Sequence, residues 1–157
     1  MERLPHLATA LEPLVAELRD ARTCLVHGDY APKNILLGPD GAWLLDAEVA
    51  HYGHPVLDLA FFLAFPLLSA LQRPELAPAC AALVEGFTTA YGHRAPALVP
   101  PAATVSAHTG AMLLARTDGR SPATFLGPRA QARARALGER LLLDPAPDLA
   151  GLVASCG

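Results

Sequence analysis

Two short polar stretches, "HGDYAPKN" at residues 27–34 and "LLDAE" at residues 44–48, contain the side chains of this chain best suited to chemistry. Asp29 and Asp46 supply carboxylates, and Asn34 supplies an amide oxygen. Mg²⁺ prefers such hard oxygen ligands, and it completes its coordination with water and substrate phosphates. A spare carboxylate beside the metal can accept or orient the proton of a hydroxyl. The residue types therefore indicate phosphoryl transfer assisted by a divalent cation.

The hairpin between the two stretches decides whether these groups meet. Apolar runs at residues 35–37 and 42–45 flank "GPDG", a sequence typical of a tight turn. A three-residue loop with a bulge at Gly41 would place Asn34 opposite Asp46. Directly opposed residues of an antiparallel pair have their side chains on one face. We therefore expect the amide and the carboxylate to lie side by side and to hold Mg²⁺.

The other patterns are mainly helical and would surround this hairpin. Apolar residues recur every three or four positions from Leu4 to Arg22, which predicts an amphipathic helix, and a short strand is predicted over residues 24–26. A polar loop is expected at residues 47–55, and the tail "DPAPDLAG" is expected to fray. Proline and glycine breaks then separate four predicted helices, at residues 56–71, 75–91, 102–116 and 128–143.

Length and composition favour one globular domain of 157 residues in a reducing cytoplasm. A chain of this length can bury a core without disulfides, and its three cysteines have no metal or redox spacing. The longest apolar run, residues 56–71, is interrupted by Asp58 and is shorter than the roughly 20 residues of a membrane span. A net charge of −3 with scattered arginines argues against a nucleic-acid partner. We expect neither a membrane nor a nucleic acid as partner.

Three linked motifs, "HGDYAPKN", "LLDAE" and "GHPVLDLA", resemble the large-lobe signature of the aminoglycoside phosphotransferase and choline kinase superfamily, small-molecule relatives of the protein kinases. "LLARTDGRSPATFL", residues 113–126, is similar to a stretch common in bacterial members. The resemblance implies an α+β, mainly helical fold over residues 1–157. This fold would be a protein-kinase-like C-terminal lobe with a short catalytic-loop β-hairpin packed on a helical subdomain. The implied partners are ATP, Mg²⁺ and a small-molecule hydroxyl acceptor.

Carried over residue by residue, the resemblance implies that Asp29 is the catalytic aspartate and that Asn34 and Asp46 are Mg²⁺ ligands. Glu48 matches an acidic position that would assist a second metal. Any one of these residues taken alone is more often a turn or cap residue. Their joint occurrence in three ordered motifs favours a functional interpretation for Asp29, Asn34 and Asp46, whereas Glu48 could equally be a solvated carboxylate.

Supporting roles are implied for two further residues. Asp58 matches an aspartate that braces the catalytic loop through its backbone amides, although it could simply be the N-terminal charge of a helix. His27 matches a structural loop histidine.

Lys33, the only lysine, is a candidate phosphate contact or an exposed loop lysine. His51, Tyr52 and His54 are candidate substrate contacts, but the two histidines lack further ligands with the spacing of a metal site.

The sequence departs from kinase-like enzymes in two respects. It contains no Gly-x-Gly-x-x-Gly, and its only lysine lies in the catalytic loop rather than on a separate strand. We therefore expect the N-terminal nucleotide lobe to be absent. Three explanations stay open: a truncated enzyme, which we favour, half of a two-chain assembly, or a degenerate relative. A lone large lobe would expose apolar surface, which favours a homodimer or a separate N-lobe partner.

The leading functional hypothesis is an ATP-dependent kinase acting on the hydroxyl of a small metabolite or antibiotic. The region after the metal motif contains few acidic residues, so a polycationic acceptor is disfavoured. The alternative is a catalytically inactive kinase-like binding or scaffold module. A third hypothesis is an all-helical interaction domain in which the hairpin is incidental, and it predicts that Asn34 and Asp46 are not opposed.

Overall fold

Helices account for most of the residues that the computed structural model describes, which are residues 5–156. Leu4, where the first helix was predicted to begin, lies outside this range. Single 3-10 turns occur at Pro5–Leu7, Pro32–Asn34, Pro74–Leu76 and Pro96–Leu98. The helices are α1 Ala8–Asp20, α2 Val56–Gln72, α3 Ala77–Arg94, α4 Ala102–Asp118, α5 Pro128–Leu143 and α6 Leu149–Ala154.

The core is centred on α2, which is apolar around most of its circumference. Eleven of its residues are buried, and it contacts α3, α4, α5 and α6. A helix that is apolar on every side must be covered on every side. By contrast, α1 has no fully buried residue, because it lies at the surface with its apolar side toward α4 and α5. Within residues 5–156, no helix has the length and apolarity needed to cross a membrane.

Helices α4 and α5 approach each other closely through two glycines. A Cβ atom at Gly110 would lie 2.7 Å from the carbonyl oxygen of Gly138, and one at Gly138 would lie 2.9 Å from the carbonyl oxygen of Gly110. Such distances are well inside van der Waals contact, so only glycine fits at either position. The two backbones are therefore packed directly against each other.

Within the part of the chain that the structure describes, four short strands form two antiparallel pairs beside the helices. Strands β1 (Cys24–Val26) and β4 (His51–Gly53) form one pair, and β2 (Ile35–Gly38) and β3 (Gly41–Leu44) form the other. The prediction of a loop throughout residues 47–55 was wrong, because β4 pairs with β1. The predicted fraying of residues 144–151 stays a prediction. The last of these residues enter α6, where the Asp148 side chain accepts a hydrogen bond from the Gly151 amide.

The hairpin of β2 and β3 is present, but its predicted register was wrong by one residue. Gly38 pairs with Gly41 and Ile35 with Leu44, so the turn consists of Pro39 and Asp40 alone. Gly41 has a φ of 133°, a value open to glycine, and it allows the chain to reverse after two residues instead of three. A shift of one residue changes which side chains share a face.

Candidate functional site

The loop between β1 and β2 is held in place from α2. The Asp58 carboxylate near the start of α2 accepts hydrogen bonds from the backbone amides of His27 (2.7 Å) and Gly28 (2.9 Å). Gly28 has a φ of 82°, and a Cβ atom there would lie 2.9 Å from the carbonyl oxygen of Val49. The loop thus combines a left-handed glycine, a close backbone neighbour and a charged acceptor for two amides, and these fix the chain just before Asp29.

His27 connects this loop to the segment that carries the second motif. The imidazole is buried, and its Nδ1 accepts a hydrogen bond from the Asp29 amide at 3.3 Å. Its Nε2 therefore carries the proton and donates to the carbonyl oxygen of Leu45 at 2.9 Å. One side chain thus contacts the backbone of Asp29 and the residue that precedes Asp46.

Asp29 is half-buried and its carboxylate has two partners within the loop. Its Oδ2 lies 2.7 Å from Nζ of Lys33 and accepts a hydrogen bond of 3.0 Å from Nδ2 of Asn34. Burial opposes ionisation, but the hydrogen bonds from Lys33 and Asn34, with the charge of Lys33, outweigh it and lower the pKa of Asp29. The group is therefore a carboxylate at neutral pH, and its Oδ1 is the oxygen that faces neither partner.

The direct opposition predicted for Asn34 and Asp46 is absent from the structure, which is the outcome that the hypothesis of an all-helical interaction domain predicted. The Leu45 amide donates to the carbonyl oxygen of Asn34 at 2.8 Å, so Leu45 is the residue opposite Asn34. Asn34 is buried and donates through Nδ2 to the backbone and side chain of Asp29, which leaves Oδ1 as its potential metal ligand. Asp46 is exposed, with a left-handed φ of 64°. An aspartate tolerates this conformation better than most residues.

The residues of the two motifs supply oxygen donors of the kind that Mg²⁺ prefers. Across residues 5–156, no three or more His, Cys, Asp or Glu side chains are grouped so that they could hold a metal by themselves. Mg²⁺ is commonly bound by one or two protein oxygens together with water and substrate phosphates. The Oδ1 atom of Asn34 and the carboxylate of Asp46 are oxygens of this kind. Glu48 is exposed two residues further along the chain.

The other histidines near the site are engaged elsewhere. Nδ1 of His51 lies 3.0 Å from the carbonyl oxygen of Val49. Nδ1 of His54 accepts a hydrogen bond from the Val56 amide, so its Nε2 carries the proton and faces Oε1 of Glu17 at 3.5 Å. Because that nitrogen bears a proton, it is not available as a metal ligand.

Sequence reasoning missed Glu17 and His108. Together with His54 they form a cluster in which the Glu17 carboxylate contacts both histidines. Oε2 of Glu17 lies 2.9 Å from Nε2 of His108, whose side chain is almost completely buried. Glu17 on α1 therefore bridges the start of α2 and the middle of α4. The two residues are 91 positions apart, so no local pattern indicated the contact.

A model of the phosphotransferase enzyme family matches residues 1–103, which is more than half of the chain and includes the loop, the hairpin and the start of α2. The molecule is thus of the phosphotransferase class. It belongs to the phosphotransferase enzyme family, and the family predicted from the three motifs is confirmed. No curated protein matches the chain. The family match ends before residues 113–126, so the resemblance of that stretch stays a prediction.

Proposed function

We propose that the chain is a small-molecule kinase that transfers the γ-phosphoryl group of ATP to a hydroxyl with the help of Mg²⁺. The observation that carries this proposal is the state of Asp29, a half-buried carboxylate of lowered pKa within the segment that the family model matches. Such a group is ionised at neutral pH and can accept a hydrogen bond and then a proton from an alcohol. Asp29 is accordingly the proposed catalytic residue.

The proposed step uses the oxygen of Asp29 that has no partner in the loop. The acceptor hydroxyl donates to Oδ1, because Oδ2 is already shared by Lys33 and Asn34. The acceptor oxygen forms a bond to the γ-phosphorus, the bond from that phosphorus to the β–γ bridging oxygen breaks, and ADP leaves with that electron pair. The hydroxyl proton passes to Asp29. A carboxylate of low pKa is a weak base, so its main contribution is orientation, which suits a loose transition state.

The groups around the phosphates are assigned to four further residues. Asn34 and Asp46 would hold Mg²⁺, which when bound supplies neutralisation of the phosphate oxygens. Glu48 is the proposed aid to a second metal. Lys33 is exposed and contacts Asp29, so its ammonium group is a point charge at the edge of the proposed reaction centre. His27 and Asp58 act on the backbone, as positioning residues.

Calorimetry with Mg²⁺ and ATP tests the metal assignment. Asp46→Asn removes one carboxylate while keeping a side chain that tolerates the left-handed backbone. We expect it to weaken Mg²⁺-dependent ATP binding by about tenfold or more, since a ligand of the cation loses its charge. Asp40→Asn is the matched control, because Asp40 is an exposed carboxylate in the turn of the same hairpin. Equal affinities in the two variants would refute the site.

The contact between Lys33 and Asp29 favours one alternative, a catalytically inactive module that binds nucleotide. An ammonium group 2.7 Å from the proposed base already compensates its charge. Mg²⁺-dependent release of phosphate from ATP separates the two functions. A kinase releases phosphate to water slowly, and Asp29→Asn reduces that rate. Nucleotide binding with the same rate in both proteins would establish the binding module instead.

A further inference from the structure

A cavity of about 350 Å³ opens beside the catalytic loop at the C-terminal end of α2. Its wall includes Pro32, the first residue of the 3-10 turn that also contains Lys33. Since Lys33 contacts Asp29, the turn that lines the cavity also carries a partner of the proposed catalytic residue. The volume is within the range of small-molecule sites.

One side of the cavity is aromatic and apolar. Phe65 and Phe125 line it together with Pro32. The ring of Phe65 stacks on Phe61 at 6.2 Å between centroids, and the guanidinium carbon of Arg116 lies 5.5 Å from the Phe65 centroid, so this ring is held from more than one direction. Phe125 is 47% exposed, so part of its ring is accessible to a ligand. Such a wall fits a flat apolar or aromatic molecule.

The other side of the cavity offers hydrogen-bond donors. Oε1 of Gln72 accepts a hydrogen bond of 2.7 Å from the Gly127 amide, so Nε2 is the part of the side chain left to donate. Arg73, which is exposed, adds a guanidinium group. None of the ion pairs found among residues 5–156 includes it. Ser69 adds a hydroxyl. Among the described residues that line the cavity there is neither Asp nor Glu.

We infer that this cavity binds the acceptor, and that the acceptor is an alcohol with a flat apolar body and an anionic group such as a carboxylate. The aromatic wall would hold the body, and the donors of Gln72 and Arg73 would face the anion. A polyamine would bind poorly here, because its ammonium groups need carboxylates and the cavity offers the guanidinium group of Arg73 and hydrogen-bond donors instead. The inference rests on the proposed function, because calling the ligand an acceptor presupposes the phosphoryl transfer from ATP proposed above. The cavity itself is independent of that step.

A pair of matched probes tests the charge preference. para-(Hydroxymethyl)benzoate carries the anion, and para-(hydroxymethyl)benzylamine has the same ring and alcohol with a cation. Each is titrated into the ¹⁵N-labelled chain without nucleotide, and the amide signals of Ser69, Arg73 and Phe125 are followed by NMR. We expect the benzoate to shift these signals and to bind more tightly than the amine. Arg73→Gln should weaken benzoate binding by about threefold to fivefold, as expected for an exposed ion pair.

Two further variants make the result specific. Arg94→Gln removes an exposed arginine at the end of α3, away from the cavity, and should leave benzoate binding unchanged. Phe125→Ala should weaken both probes, because both place a ring against the aromatic wall. Equal or tighter binding of the amine, an unchanged affinity in Arg73→Gln, or the absence of shifts at the cavity would overturn the inference.

Failure of the inference can be separated from failure of the proposed function. The probe titration contains no nucleotide, so it is unaffected by the strength of Mg²⁺ and ATP binding. If the chain binds Mg²⁺ and ATP but prefers the amine, the inference is wrong and the kinase proposal stands. If it prefers the benzoate but neither binds nucleotide nor releases phosphate, the anion site stands and its description as an acceptor site is refuted.

Discussion

Lys33 is the residue that most affects the charge of the proposed catalytic aspartate. Burial raises the pKa of Asp29, and the contacts with Lys33 and Asn34 reverse this effect. Lys33→Met keeps the aliphatic stem but removes the charge and the hydrogen bond. We expect the pKa of Asp29 to be higher in this variant than in the wild type. The titration of the Asp29 carboxyl carbon, followed by ¹³C NMR, measures the difference directly.

The same change has a defined effect on stability. Because the folded pKa of Asp29 is lowered, its ionised form contributes stability above the unfolded pKa, and this contribution is lost as the pH falls through the folded pKa. The decrease in the free energy of unfolding on acidification should therefore be smaller in Lys33→Met than in the wild type. Lys33→Arg, which keeps the charge, is the control and should retain most of the wild-type behaviour. An unchanged Asp29 titration in Lys33→Met would show that the ion pair is absent in solution.

The residue types of the site could be predicted from the sequence, but the relative placement of Asn34 and Asp46 could not. The carboxylates, the amide and the loop histidine follow from the motifs. The opposition of Asn34 and Asp46 depended on a turn of three residues, whereas the chain uses two. Both turns accept proline and glycine at the same positions, so local preferences do not distinguish them. The register of β2 and β3 is fixed by the hydrogen bond from the Leu45 amide to the Asn34 carbonyl oxygen, together with the hydrogen bond from His27 to the Leu45 carbonyl oxygen.

At the scale of elements, the contact between α4 and α5 depends on the absence of two side chains. Gly110→Ala would insert a methyl group 2.7 Å from the carbonyl oxygen of Gly138, and a helix backbone cannot move away as a flexible side chain would. We expect the free energy of unfolding to fall by about 2 kcal/mol or more, as for overpacked cores. Urea unfolding monitored by circular dichroism measures it.

Gly86→Ala is the matched control for this helix substitution. Gly86 lies in the interior of α3, and a Cβ atom there meets nothing within 4 Å. Alanine should therefore stabilise α3 by about 0.5–1 kcal/mol, through the ordinary difference in helix propensity. Opposite signs for the two substitutions would locate the effect in the contact of α4 with α5. Equal effects would contradict the close approach of these helices.

Elements with strong local patterns were predicted well, and elements held by distant partners were not. Helix α5 has the predicted bounds, and α2 differs by one residue at its C-terminal end. Strand β4 has three residues, one of them glycine, and it exists because β1 pairs with it from 27 residues away. The bridge from Glu17 to His54 and His108 is likewise formed only when α1, α2 and α4 are assembled. A single sequence gives no local signal for either contact.

At the scale of the whole molecule, large apolar side chains are exposed together on the two strand pairs. Leu36 and Trp43 are directly opposed on β2 and β3, and each is more than half exposed. Leu25 and Tyr52 are directly opposed on β1 and β4, with 73% and 56% of their surface exposed. Exposed apolar clusters of this kind mark surfaces that bind partners. We propose that a second copy of this chain covers the exposed face of β2 and β3 that carries Leu36 and Trp43.

Trp43 provides the test of this proposal, because it is the only tryptophan in the chain and lies on the surface in question. If copies associate there, its emission should shift to shorter wavelength as the protein concentration rises over about a hundredfold range, and the sedimentation coefficient should rise in parallel. Leu36→Lys should suppress both changes by placing a charge beside Trp43. Leu83→Lys, at an exposed site on α3, should suppress neither. A constant sedimentation coefficient and constant emission would refute self-association through this surface.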